Sequence, residues 1–303
     1  MSVARYYAWL SRFQDAARGV RHDAGQRTFT VHRHLRGDDG VYSGDVLHHA
    51  IVGALAATSD RGTTAAPDRG TAVAAGRPIA APLEVFDAGC GLGGTLLFLN
   101  GTIGVRGVGI TLSPDQQARA AAEAQRRGVA DACRFVVRDY DHDLSDLTPS
   151  GVDLVIAIES LAHAPAPAAT IGRLAARLRP GGRLLIVDDV PSDTLPRDDP
   201  DFAGFRHGWL CPAIATARAL DAALDDAGLT LVHDVDLTSR LRQRPDAALT
   251  ALARLTGVAD AALSPTSLHL LLGALLGGLR LERLYRRGVV RYRLIVARRA
   301  NET

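Results

Sequence analysis

The chain has 303 residues, 47% of them hydrophobic, with a net charge of only +2. That length can bury a large core, and the composition excludes a disordered or fibrous chain. The near balance of charge gives no long-range field for a polyanion, so nothing favours nucleic acid as a partner. All 35 fixed basic side chains are arginine.

Residues 1–55 are expected to form a helical N-terminal cap, from the apolar spacing in RYYAWLSRF and DVLHHAIVGAL. Residues 56–82 are rich in Ala, Gly, Thr and Pro and repeat DRGT at Asp60 and Asp68, the composition of a flexible surface segment. No cleavable leader is read at the N-terminus, and LHLLLGALLGGL from Leu268 is too short to span a bilayer. Cys90, Cys133 and Cys211 have neither paired nor metal-ligand spacing. They suit a reduced cytoplasmic protein without a metal centre.

From residue 83 to 303 the pattern becomes strand–helix alternation. Apolar runs at EVFDA, RGVGI, CRFVV, DLVIAI, RLLIVDD, LTLVHDVDL and VVRYRLIVARR are separated by helical segments such as SPDQQARAAAEAQRRG and ATIGRLAARLRPGG. Continuous hydrophobic runs between helices predict a mostly parallel sheet covered on both faces. The fold class is therefore α/β, a doubly wound seven-stranded sheet, with a helical lid insertion at about 239–287 before the last strand.

The first of these strands runs into LEVFDAGCGLGGT. Gly89, Gly91 and Gly94 fit the G-x-G-x-x-G pattern of dinucleotide sites, whose helix N-terminus receives a pyrophosphate. Asp87, Gly89, Gly91 and Gly93 equally fit D-x-G-x-G-x-G, the pattern of S-adenosylmethionine sites. A nicotinamide site wants a carboxylate at the end of the second strand, where Thr111 stands instead, although Asp115 lies close by. Asp87 would sit awkwardly beside a pyrophosphate and suits the cationic amino group or sulfonium of the methyl donor. Asp139 follows the third strand, where it could accept from an adenine amino group, with Tyr140 as a wall or backbone donor. Glu159 and His163 follow the fourth. In a parallel sheet the carboxyl ends of the strands gather round one crevice.

DAGCGLGG, GITLSPDQ, AIESLAHAP and LRPGGRLLIVDD together resemble class I S-adenosylmethionine-dependent methyltransferases. They are similar to the group that holds sterol and tocopherol C-methyltransferases, cyclopropane synthases and bacterial natural-product enzymes. The resemblance implies S-adenosyl-L-methionine as cofactor, with Asp87, Gly89, Gly91, Gly93, Thr111, Leu112, Gln116, Asp139 and Tyr140 around it. Gln116 has a competing role, because Ser113–Gln116 forms a capping box with proline at the first helical position. Glu159 and His163 are the candidate catalytic residues, His163 because an ordinary imidazole suits a general base. Tyr6, Tyr7, His49 and Trp209 are candidates for the acceptor side; His48, His142 and His207 are weaker ones, and His233 reads as structural.

The expected reaction is methyl transfer to a small, partly apolar metabolite, by O- or N-methylation in secondary metabolism. C-methylation of an isoprenoid or lipid is the alternative, and an NAD(P)-dependent oxidoreductase is the alternative of another class. A small-molecule substrate is the expected partner, with neither nucleic acid nor integral membrane contact; a homodimer is compatible with the sequence.

Overall fold

The computed structural model describes residues 32–58, 82–148, 151–263 and 267–301. Two short strands, β1 (Leu35–Arg36) and β2 (Tyr42–Ser43), form an antiparallel ribbon ahead of helix α1 (Asp45–Ala57). This corrects the expectation of helix throughout residues 1–55. The GDDG sequence between the strands turns the chain back, with Gly40 at φ +83°, a conformation that glycine adopts without a steric penalty. The DVLHHAIVGAL segment is helical as expected and buries Leu47, Ile51 and Leu55.

The main sheet contains β3 (Glu84–Ala88), β4 (Arg106–Thr111), β5 (Cys133–Val137), β6 (Val152–Ile158), β7 (Leu178–Pro191), β8 (Leu229–Asp236) and β9 (Val290–Arg299). Its order is β5-β4-β3-β6-β7-β9-β8. All neighbouring pairs from β5 to β7 are parallel, and β9 lies antiparallel between β7 and β8. The seven apolar runs of the sequence are these seven strands. They read as unbroken hydrophobic runs because alternate residues enter two separate cores. Leu154, Ile156 and Ile158 of β6 join one core with Leu185 and Val187, while Val155 and Ala157 join the other with Leu184 and Ile186.

The connections place helices on both faces: α2 (Gly94–Ile103), α3 (Pro114–Arg126), α4 (Pro167–Ala175), α5 (Pro200–Gly208) and α6 (Ala217–Asp226). Two longer helices, α7 (Asp246–Leu263) and α8 (Ser267–Arg286), fill the insertion before β9. The C-terminal end of α5 lies so close to α8 that a Cβ on Gly208 would meet the Gly273 carbonyl at 2.3 Å. Two arginines at the C-terminal end of α8 and just beyond it are taken up by this packing: Arg283 pairs with Asp201 at 3.5 Å and Arg287 with Asp199 at 2.7 Å. Among the described residues no helix is long and apolar enough to cross a membrane.

Because β4 pairs with one edge of β3 and β6 with the other, the strand order reverses at β3. The crevice outside such a switch point is where open α/β sheets bind ligands.

Candidate active site

The glycine turn at the end of β3 is built for close approach. Gly89, Gly91 and Gly93 all have positive φ, at 94°, 54° and 79°. A Cβ on Gly89 would lie 2.5 Å from the Ser160 Cβ, and one on Gly93 would lie 2.5 Å from the Phe135 ring. Three hydrogen bonds weld the turn to its surroundings. Gly89 and Cys90 both donate their N–H to the Ile110 carbonyl, and Ser160 Oγ donates to the Ala88 carbonyl at 2.8 Å.

Asp87 ends β3 beside this turn. It is 3% exposed, and its Oδ2 has no hydrogen-bond partner among the described residues. Burial pushes its carboxyl up from 3.8 to about 7. A buried carboxylate oxygen without a donor is costly, and it is the feature that a cationic or N–H-bearing ligand would repair. A pyrophosphate would aggravate it.

At the end of β4, the Thr111 hydroxyl donates to Gln116 Oε1 at 2.8 Å and accepts from the Ser113 N–H at 3.2 Å. Ser113 Oγ caps α3 by accepting from the Gln116 N–H at 3.4 Å. Half of the expected capping box is therefore present. The Gln116 side chain turns to Thr111 instead of reaching back to Ser113, so both residues are held buried at the carboxyl end of the strand, with half-buried Leu112 between them.

Asp139 follows β5 half-buried. Its Oδ1 accepts the Asp141 N–H at 2.8 Å and its Oδ2 lies 3.7 Å from His142. Tyr140 is buried in the second core and its hydroxyl donates to the Ser160 carbonyl at 2.8 Å. Burial raises that phenol far beyond its ordinary range. Its hydroxyl thus supports the loop after β6, a role that the reading of an adenine wall did not include.

That loop carries Glu159 at φ +49°, a left-handed conformation for a side-chain-bearing residue. Such an outlier costs roughly 1–3 kcal/mol and persists where its surroundings fix it. Here the fixing contacts are clear. The Glu159 N–H donates to the Val187 carbonyl at 2.8 Å, and its Oε1 accepts from the Arg33 N–H at 3.1 Å and the Tyr292 hydroxyl at 2.7 Å. Burial alone would raise the Glu159 carboxyl. The Arg33 guanidinium, His32 and the hydrogen bonds from Tyr292 and the Arg33 N–H together hold it below the ordinary glutamate value.

His163 ends a single 3-10 turn, Leu161–His163, with Nδ1 3.3 Å from the Leu210 carbonyl. A carbonyl can only accept, so Nδ1 carries the proton and the neutral ring has its lone pair on Nε2. Burial lowers the pKa of the ring, against smaller raising effects from the Leu210 carbonyl and Glu159. Leu210 itself has φ +54°, a second strained residue on the same side of the crevice.

Trp209 stands where substrate and packing readings overlap. Its Nε1 donates to the Ala274 carbonyl at 2.9 Å, its ring meets Phe205 edge-on at 5.5 Å, and the Arg33 guanidinium lies 5.0 Å from its centroid. The site does not gather every candidate. His49 is exposed, with Nδ1 donating to the Asp45 carbonyl of its own helix at 2.8 Å; His142 and His207 are also exposed. His48 is the inward member of the pair. Tyr6 and Tyr7 lie outside the described residues.

Four participants had no signal in the sequence: Arg33, Asp189, Tyr285 and Tyr292. Arg33 forks onto both oxygens of Asp189 at 2.9 and 2.7 Å and donates to the Tyr285 hydroxyl at 2.9 Å. A further tie joins the segment before β1 to the glycine turn. Thr95 Oγ1 lies 3.1 Å from His32 Nε2 and 3.2 Å from His48 Nε2. Burial, then the neighbouring His32 and His49, push His48 down to about 3, so the ring is neutral.

Comparison with known proteins bears on this geometry. The chain matches the model of a methyltransferase domain over residues 60–234. It is 39% identical over 107 residues to a probable chloroplastic tocopherol O-methyltransferase of Oryza sativa subsp. japonica, covering 35% of this chain and 29% of that one. It is 31% identical over 179 residues to the methyltransferase GfsG of Streptomyces halstedii, covering 57% and 62%. The chain thus spans less than two thirds of the length of either relative. A solved geranyl diphosphate C-methyltransferase of Streptomyces coelicolor A3(2), in complex with magnesium, geranyl diphosphate and S-adenosyl-L-homocysteine, superposes with a TM-score of 0.62 at 19% identity. That alignment covers 98% of this chain and 96% of the other, and at that identity the likeness is one of fold. None of these matches supports the nicotinamide reading of the glycine turn. With more than half of the sequence within the family model, the chain belongs to the methyltransferase domain family.

Proposed function

We propose that the chain transfers a methyl group from S-adenosyl-L-methionine to a small, partly apolar metabolite, as an O- or N-methyltransferase of natural-product metabolism. The observation that carries this reading is the unpartnered buried oxygen of Asp87 beside a turn of three positive-φ glycines. Asp87 accepts from the cationic end of the donor, the glycine turn lies against it, and the Thr111–Gln116 pair takes its ribose. Asp139 and Tyr140 border the adenine, with Leu112 beside them. Bound there, the donor supplies an electrophilic methyl on a sulfonium. The protein's contribution is alignment and exclusion of water, worth about 7–11 kcal/mol when two reactants are held in near-attack geometry.

Glu159 takes the acceptor's proton. An oxygen that has just gained a methyl is an oxonium and strongly acidic, so a carboxylate of lowered pKa is basic enough for it; a methylated amine leaves as an ammonium and gives its proton to water. His163, neutral at pH 7 with its lone pair on Nε2, is the second acid–base group. Trp209, with Tyr6 and Tyr7, borders the acceptor. C-methylation of an isoprenoid is the second reading, supported by the Glu159 carboxylate, whose negative charge would stabilise the cation that an alkene leaves. Three free, buried thiols accord with a cytoplasmic location.

Calorimetry with S-adenosylmethionine and NADH tests the donor, and release of S-adenosylhomocysteine with a metabolite extract tests turnover. Binding of NADH alone would overturn the reading. In an active assay, His163→Ala should lower turnover by about 10²-fold while leaving donor affinity within about threefold. Equal losses in both would assign His163 to the donor side.

A further inference from the structure

Two carboxylates flank the buried guanidinium of Arg33, and they are used differently. Both oxygens of Asp189 are consumed by the fork from Arg33, the Tyr285 hydroxyl adds a further bond to Oδ1, and the side chain is 2% exposed. Glu159 has only Oε1 engaged, by the Arg33 N–H and the Tyr292 hydroxyl, with Arg33 Nε at 4.0 Å. Its side chain is 16% exposed, and no hydrogen bond among the described residues reaches Oε2.

We propose that Arg33 is the positioning residue of the acceptor side: its main-chain N–H holds Glu159 by Oε1, its guanidinium faces that same oxygen across 4.0 Å, and Oε2 is left as the atom that takes a proton. This rests on Glu159 being the base. The guanidinium is itself fixed in a slot of three rings. Its carbon lies 4.9 Å from the Tyr292 centroid, 5.0 Å from Trp209 and 6.0 Å from Tyr285. A flat delocalised cation fits between ring faces while its edge forks onto a carboxylate; an ammonium can do only one of these. Through these contacts Arg33 joins the ends of β6 and β7, the C-terminus of α5, helix α8 and strand β9.

The charges that face Glu159 make the dependence on Arg33 strong. From the segment before β1 come His32 and Arg33, from the turn after β6 comes His163, and from β7 come Asp188 and Asp189. Tyr285 of α8 and Tyr292 of β9 complete the set. Burial lowers both histidines, so Arg33 is the permanent cation of the group. Without it, the repulsion from Asp189 and the cost of burial would be offset only by His32 and by the two hydrogen bonds to Oε1, and the carboxyl would keep its proton to higher pH.

The chain has five glutamates, few enough to follow singly by carbon NMR of protein labelled at the glutamate carboxyl. Glu159→Gln assigns the Glu159 signal by its loss. In the parent, Glu159 should stay ionised below the ordinary glutamate midpoint. In Arg33→Gln its midpoint should rise by more than about one pH unit. Arg33→Lys should fall between, since it keeps charge and most of the volume but loses the fork; it also serves if the glutamine variant fails to fold. Methylguanidinium added to Arg33→Ala should restore the low midpoint, which a purely structural strut would not allow. S-adenosylhomocysteine affinity by calorimetry should stay within about threefold throughout, reporting an intact donor half. A midpoint unmoved in both Arg33→Gln and Arg33→Lys would overturn the positioning role and leave Glu159 as base. Undiminished methyl transfer by Glu159→Gln would instead remove the base and with it the purpose of the brace.

Discussion

Asp87→Asn should make the free protein more stable at pH 8 and at the same time weaken S-adenosylmethionine binding by about 10²–10³-fold. Both effects come from one buried group. Burial raises the Asp87 carboxyl from 3.8 to about 7, so the folded protein holds that proton more tightly than the unfolded chain does. Stability then declines as pH rises from about 4 through about 7 and levels off above it. Three pH units correspond to about 4 kcal/mol at most. Asparagine has nearly the same shape and no ionisation, so the variant should lack this decline, and its melting temperature should exceed the parent's most clearly above pH 7. The donor reverses the sign. A cationic ligand favours the carboxylate, so binding to the parent should release a proton below pH 7, and affinity should fall about tenfold per pH unit there. In the variant that slope should vanish together with the affinity, because losing one member of a buried charge-assisted contact costs about 2–5 kcal/mol. Titration calorimetry in buffers of different ionisation enthalpy reads affinity and proton release together. A variant that binds as the parent does, with the same pH slope, would take Asp87 out of the donor site.

The sheet and the turn at its switch point were largely legible in the sequence because their signals are local. Seven apolar runs became seven strands because both faces of the sheet are covered, and the glycine turn and the Thr111–Gln116 pair each lie within a few residues of a strand end. The acceptor half was less legible. Arg33 meets Glu159, Asp189 and Tyr285 at separations of 126, 156 and 252 residues, and nothing in VHRHLRG distinguishes it from the other arginines. Adjacent histidines posed a similar difficulty. His48 and His49 differ by one helical step, which buries the first against Thr95 and the face of Phe98 and leaves the second exposed at the edge of the same ring. The ribbon at residues 35–43 was hidden because its strands are two residues long, too short for an alternating pattern to register. Strain at Glu159 and Leu210 is likewise a product of packing: neither side chain favours positive φ, and both are held there by distant partners.

Glu159→Gln should lower methyl transfer by about 10²–10⁴-fold, the range that a positioned acid–base group contributes, with donor affinity unchanged. The substitution separates holding from proton acceptance. Glutamine's carbonyl oxygen can still accept from the Arg33 N–H and the Tyr292 hydroxyl that now engage Oε1. What replaces Oε2 is an amide NH₂, which donates and cannot take a proton. The pH dependence separates this group from Asp87. Glu159 is held below the ordinary glutamate value, so as a base it stays competent down to acidic pH; Asp87, at about 7, limits donor capture near neutrality. The parent's kcat at saturating donor should therefore carry no acid limb from Asp87, whereas kcat over KM for the donor should fall below pH 7. If the acceptor is an alkene, the same variant loses a charge that stabilises the cation left by C-methylation, and turnover falls for that reason instead. The products tell the two apart: a methyl ether requires the proton-accepting role, and a branched hydrocarbon requires the electrostatic one. Turnover equal to the parent's with either kind of acceptor would leave the left-handed backbone of Glu159 without a catalytic purpose.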